Sequence, residues 1–316
     1  MAQTSGTFSS YDAVGNREAL MDRIFMLARE ETPLLSNVRQ GKATAKNEEW
    51  QVDSLAAAAT NAQVEGDEFA YTQPASTTRV GNRLQISRKT AVVTRTQNQV
   101  NKAGRDSEMS YQIMKRTKEL RRDMEYDLNA NNTAVAGNDT TAAELGGWPA
   151  WLTTNVSRGS GGANGGFTGG FATAATDGTQ RAFTETLLKA VHKAAWDSGG
   201  RPRIAMMGSA QKQVFSTFTG LAANRVNQSA SGQATIIAAS DVYVGDFGKL
   251  TTVLNPFMRT REVLLLDTEM MEVRYLQKPK IVDVAPNGDA EKKAIITEYT
   301  LAVLNEAAHG VVADLT

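Results

Sequence analysis

The chain has 316 residues, 41% hydrophobic and 22% charged, and its 34 lysines and arginines balance 34 aspartates and glutamates. That length buries a real core in one large or two modest domains. Zero formal charge disfavours a protein whose main task is gripping nucleic acid, because phosphate neutralisation dominates that affinity. The absence of cysteine excludes disulfides, thiolate metal sites and cysteine nucleophiles.

From the N-terminus, Met1 to Tyr11 is rich in Ser and Thr and has no apolar stretch of the secretory kind. Residues 1–46 read as an arm. Leu20, Ile24, Leu27 and Ala28 fall at helical spacing between Gly15 and Glu31, and Thr32-Pro33 is expected to end that helix. Its narrow apolar stripe needs another surface to pack on. Residues 47–104 read as an extended excursion. Trp50 begins one strand, and a second alternates, with Val80, Asn82, Leu84 and Ile86 on one face. A hairpin with so little apolar material is marginal in water, so it must lie on the body of its own chain or on a neighbour.

The strongest predicted element is a helix over residues 107–132. Ser107 is its N-cap, and Met109, Ile113, Thr117, Leu120, Met124 and Leu128 form the apolar face. The opposite face carries Lys115, Arg116, Lys118, Glu119, Arg121, Arg122, Asp123 and Glu125. Residues 133–180 are mostly irregular. Trp148 and Trp151 are aromatic anchors, and the glycine-dense run Gly159 to Gly170 predicts a flexible loop. A helix from Thr184 to Asp197 stops at Gly199-Gly200. A strand over Arg203 to Met207 follows, then a helix capped by Ser209. Strands are expected at Val242–Val244, Leu250–Leu254, Val263–Leu266, Met271–Leu276, Ile281–Val284 and Lys293–Val303. The longest strongly aliphatic cluster ends at Asp267, so no membrane span is expected. Helices and strands mix without a βαβ rhythm, which favours an α+β fold.

Several spaced motifs together resemble a known family. They are Trp50 to Ala56 with Asn61 and Glu65-Gly66; Arg79 to Ile86; Gly104, Glu108, Tyr111-Gln112 and Lys118 to Glu125; Leu145 to Gly147 with Trp151-Leu152 and Thr154-Asn155; and Val242-Tyr243, Asp246 to Gly248, Asn255 to Met258 and Leu264 to Asp267. In this order the chain resembles the major capsid proteins of tailed phages built on the Hong Kong 97-like capsid fold. The resemblance implies an N-terminal arm (1–46) and an extended loop (47–104) lying across a neighbouring subunit. It also implies a peripheral domain (105–180, returning at 270–316) with a spine helix over 107–132, and an axial domain (181–269). It further implies homo-hexamers and homo-pentamers closing into an icosahedral virion shell in the host cytoplasm, with a portal, decoration proteins and packaged double-stranded DNA as partners, the DNA in weak non-specific contact. Some members begin with a long scaffolding region. This chain starts at the arm, so a separate scaffolding protein or a scaffold-free route is expected. Others weld subunits through a loop lysine. No lysine lies between Lys46 and Lys89, so no such cross-link is expected.

Rival chemistry is thin. His192 and His309 are far apart and make a poor metal or catalytic set, and both read as structural, His192 at the surface or boundary. The glycine run lacks the Lys-Ser/Thr ending of a phosphate loop. Asp246-Phe247-Gly248 matches a kinase triplet without a catalytic loop. No catalytic residue, cofactor or metal is expected. A nanocompartment shell sharing the fold, or a soluble α+β enzyme using the glycine-rich loop, are the alternatives. Between Asn47 and Thr78 stand six acids, Glu65, Asp67 and Glu68 among them, and no base. The reading that follows is that this loop docks on Lys115, Arg116, Lys118, Arg121 and Arg122 of a neighbour. The bland alternative is that the acids only keep the loop soluble.

Overall fold

The computed structural model describes residues 26, 28–69, 71–218, 241–286 and 288–316. In chain order the elements begin with α1 (Pro33–Asn37), β1 (Arg39–Lys42), β2 (Asn47–Val52), β3 (Thr78–Arg83), β4 (Gln85–Thr94), α2 (Arg95–Gln99), α3 (Glu108–Asn129) and α4 (Trp148–Trp151). They continue with β5 (Val156–Ser157), β6 (Gly166–Thr168), β7 (Phe171–Thr173), α5 (Glu185–Asp197), β8 (Ile204–Met207), α6 (Ser209–Phe215), β9 (Val242–Gly245) and β10 (Gly248–Leu254). The last are β11 (Glu262–Leu266), β12 (Met271–Val284), β13 (Ala290–Val303) and β14 (Gly310–Ala313).

Three sheets organise these elements, in the orders β1-β12-β13-β4, β5-β14-β11-β8-β10-β9 and β2-β3-β7-β6. In the first, the long antiparallel pair β12 and β13 takes β4 antiparallel on one side and β1 parallel on the other. The spine helix α3 crosses it and buries Met109, Leu120, Met124 and Leu128, the face that the apolar spacing marked. Ser107 caps it, its hydroxyl accepting from Ser110 N. The two strands expected at Met271–Leu276 and Ile281–Val284 are one strand. Its register shifts between Tyr275 and Lys280, where Pro279 has no N–H to give the ladder.

The second sheet holds a separate core with α5 and α6, including Leu188, Val191, Phe215, Leu250, Val263, Leu265 and Val312. Every residue of β11 is buried, which is why Val263 to Leu266 are apolar without alternation.

Five local expectations need correction. Thr32-Pro33 starts α1 rather than ending a helix, because proline at the first turn lacks only an N–H that has no partner there. The arm helix expected from Gly15 lies mostly outside the described residues, and Ala28 to Glu31 carry no helix. Ile86 is 64% exposed instead of sharing the buried face of Val80, Asn82 and Leu84. The chain leaves β3 at Arg83 and joins β13 from Gln85, and this change of sheet reverses which side faces the core. Gly208, not Ser209, is the N-cap of α6. Finally, the glycine run is built structure rather than a free loop. A Cβ on Gly159 would stand 2.0 Å from Thr179 O, and Gly159 N donates to Asp314. Glycine here permits close backbone approach.

Candidate assembly surface

The extended loop is anchored at its root. Trp50 stacks on Trp151 with centroids 5.4 Å apart, and its indole N–H donates to Leu304 O at 3.1 Å. The Arg274 guanidinium lies over the Trp50 ring. On the neighbouring strand, buried Asn82 donates to Gly146 O and Leu301 O and accepts from Gly146 N. Gly81 admits no side chain, since a Cβ would meet Glu48 O at 2.6 Å. Glu48 is itself buried, accepting from Thr44 N and Ala45 N and facing Arg274. Glu49 pairs with Arg79. Two of the six loop acids therefore hold the root together and are not free to meet a partner.

Beyond Val52 the described residues form no strand until Thr78. Apart from the Thr77 hydroxyl donating to Gln51 Oε1 at the root, the described hydrogen bonds of this stretch are local, such as Asp67 N to Val64 O and Glu68 N to Asp67 Oδ1. Leu55 is 99% exposed, Phe69 84% and Tyr71 95%. Glu65, Asp67 and Glu68 stand exposed among them. Among the described residues, no ion pair joins these three acids to the spine helix.

The five basic helix residues do not form one patch. Lys118 pairs with Glu30 at 2.7 Å and Arg121 reaches the Thr32 hydroxyl, so both lean on the arm. Arg116 pairs with Glu119. Lys115 is exposed, and Arg122 lies over the Phe257 ring at 5.5 Å; neither has an ion pair among the described residues.

Glu125, expected on the charged face, is fully buried. It accepts from Leu34 N at 2.7 Å, Leu35 N at 3.0 Å and Asn255 Nδ2 at 2.6 Å. It thus caps the first turn of α1, which has no side-chain cap of its own. Burial raises its pKa against those donors. The available signal was position: Glu125 lies beside Met124 and Leu128 on the helical wheel. Gln85 donates to Asp127 at 2.6 Å and accepts from Leu145 N, and Tyr299 joins the same carboxylate. Burial raises Asp127 and, further, Tyr299.

His192 is buried under Phe247, contrary to the surface or boundary position expected, because α5 turns it toward the β9–β10 hairpin. His309 is fully buried. Its Nδ1 accepts from Asp267 N at 3.2 Å and its Nε2 faces Met270 O, and burial lowers its pKa to about 4. Glu306 accepts from Thr153 N and Thr154 N. Burial pushes Glu262 up to about 7 although Arg259 and Arg158 pull it down. Among the described residues, no cluster could hold a metal and no helix is long and apolar enough to cross a membrane.

The sequence profile of the SU10 major capsid protein matches residues 3–316. The chain is 25% identical to the major capsid protein of Escherichia phage Phieco32, over 96% of each chain. Among solved structures it is similar to the cyanophage A-1(L) capsid asymmetric unit, with TM-score 0.67 and 14% identity over 98% of each chain. It is also similar to a Gordonia phage Cozz structure, with TM-score 0.61 and 11% identity over 98% of this chain and 96% of that one.

Proposed function

The chain belongs to the SU10 major capsid protein family, and from that premise we propose the part each region plays in building the shell. The protein is a structural major capsid protein of a tailed phage and a component of the virion capsid. That membership supports the capsid reading over the nanocompartment and enzyme alternatives, and we assign the chain no catalytic activity.

Copies assemble as hexamers and pentamers in this reading. Residues 1–46 act as the arm, 47–104 as the extended loop, 105–180 with 270–316 as the peripheral domain, and 181–269 as the axial domain. The larger core joins the spine helix and long sheet to one face of the six-stranded sheet, and the smaller one lies between that sheet's other face and α5 with α6. The acids Glu65, Asp67 and Glu68 meet Lys115, Arg116, Lys118, Arg121 and Arg122 of an adjacent copy. A scaffolding protein, a portal and decoration proteins are the further partners, the last in line with the decoration proteins in the related phage G structure. Packaged DNA touches a chain of zero formal charge only weakly. No covalent weld forms through the lysine-free loop.

One observation carries the reading. Between Val52 and Thr78 the loop exposes large apolar side chains that its own subunit does not cover, and such surface marks an interaction site. Each exposed charge pair contributes only ~0.2–1 kcal/mol, but closure makes later contacts effectively intramolecular. The test is E65K/D67K/E68K. The triple variant is expected to yield folded subunits that assemble poorly by electron microscopy; normal shells would end the docking idea. Wild-type shells are expected to run as single-subunit bands on a denaturing gel.

A further inference from the structure

The flank of the spine helix that faces Phe257 carries two adjoining grooves of about 360 and 440 Å³, and Tyr126 and Phe257 line both. Tyr126 is 60% exposed, on a helix whose other aromatic and apolar groups mostly turn inward. The acids around these grooves are already engaged within the subunit. Glu119 holds Arg116, Asp123 holds Lys89 at 2.5 Å, and Asp177 holds Arg259 at 2.5 Å. Arg122 stands between them with no ion pair among the described residues, its guanidinium over Phe257. The surface therefore offers an uncompensated cation beside an aromatic floor.

The extended loop offers the complement within one short stretch: Asp67, Glu68, Phe69 and Tyr71, with both aromatics almost fully exposed. In an extended chain residues 67, 69 and 71 share a side, and neighbours on that side are about 7 Å apart. Arg122 and Tyr126 are one helical turn apart, about 6 Å between Cβ atoms. Carboxylate-to-aromatic spacing on the loop thus matches cation-to-aromatic spacing on the helix.

We propose that Phe69 and Tyr71 of one copy seat in the Tyr126–Phe257 grooves of a second copy, with Asp67 paired to that copy's Arg122. The inference rests on the loop-docking reading above and adds where the tip lands and what holds it. The buried aromatics supply the affinity, because interfaces concentrate binding energy in desolvated aromatic and arginine side chains. The ion pair sets the register. Lys118 and Arg121 lean on the arm and lie outside the two grooves.

The lack of native cysteine makes the test direct. F69C/Y126C and F69C/K118C are assembled into shells, oxidised and run on a denaturing gel without reductant. F69C/Y126C is expected to give a multimer ladder that collapses with reductant, while F69C/K118C stays at subunit size. A ladder from F69C/K118C alone would place the loop on the arm flank and overturn the groove while leaving docking intact. A fast-migrating single-subunit product would show that the loop occupies its own copy's groove, which also overturns the proposal. If neither pair cross-links and a protease cuts the loop equally in shells and free subunits, the docking reading falls as well. Charge exchange is the second arm. R122D is expected to lower shell yield severalfold and D67R to restore it in the double variant; failure of that rescue rejects the Asp67–Arg122 pair even if cysteine variants do not assemble.

Discussion

Glu125 and Glu262 are both fully buried carboxylates, yet they do different work. Glu125 gathers donors from three segments and ties the arm to the spine helix. Removing it strands the Leu34 and Leu35 N–H groups and the Asn255 amide, and buried donors without partners are costly. E125A is expected to lose about 3 kcal/mol in a urea unfolding experiment, with the arm becoming protease-sensitive first. Glu262 shares Arg259 but leaves one oxygen without a hydrogen bond. Its raised folded pKa favours the protonated form, so the associated stability is full below about pH 4.5 and is lost as pH rises through about 7. His309 has the opposite sign. Its folded pKa is depressed from 6.5 to about 4, so its contribution is present above pH 6.5 and is lost as pH falls toward 4. Each effect amounts to about 3 kcal/mol across its window, and the two oppose one another between pH 4.5 and 6.5. E262Q removes one of them. Unfolding midpoints of that variant are expected to fall more steeply on acidification than those of the wild type, and parallel pH profiles would reject the assignment.

Among the elements, α3 and the β2–β3 root bear most of the argument. The helix was legible because its cap and its apolar spacing coincide at Ser107 and Met109. S107A is expected to cost about 1 kcal/mol, measurable as a lowered unfolding midpoint. Its C-terminal end was less legible: it stops at Asn129, and a Cβ on Gly147 would stand 1.9 Å from Ala130 O. The root of the loop depends on Trp50. W50A removes a stacked ring and a hydrogen bond to Leu304 O and is expected to cost about 2–3 kcal/mol. Amide hydrogen exchange should then speed up in β2 and β3 while β12 and β13 keep their protection. Uniform loss of protection would mean that the root and the body open as one unit.

At the level of the whole molecule, the body and the loop are separable. One core joins the long sheet and its helix to one face of the six-stranded sheet, and a second lies between that sheet's other face and α5 with α6, whereas the described residues beyond Val52 add no large buried side chain until Val80. Replacing residues 55–75 by a short turn is therefore expected to leave subunit stability nearly unchanged while abolishing closed shells, read by calorimetry and electron microscopy on the same preparation. A large fall in subunit stability would show that the loop belongs to the core after all.

Local patterns on their own determined the spine helix, most strands, the α+β class and the acidic, lysine-free character of the loop, because periodicity and charge are properties of neighbours in the chain. They also suggested the capsid family, which the family profile bears out over residues 3–316. Four things were decided only by the tertiary structure. These are the burial of Glu125, the outward turn of Ile86, the packing role of the Gly159 to Gly170 run, and the meeting of Tyr126, Phe257 and Arg122. In each case the determining contact lies on a distant segment: α1, β13, Asp314 and Thr179, or the turn after β10. A carboxylate on a helix, a residue one step past a strand, or a run of glycines reads the same along the chain whatever that distant partner is, and packing alone supplies it.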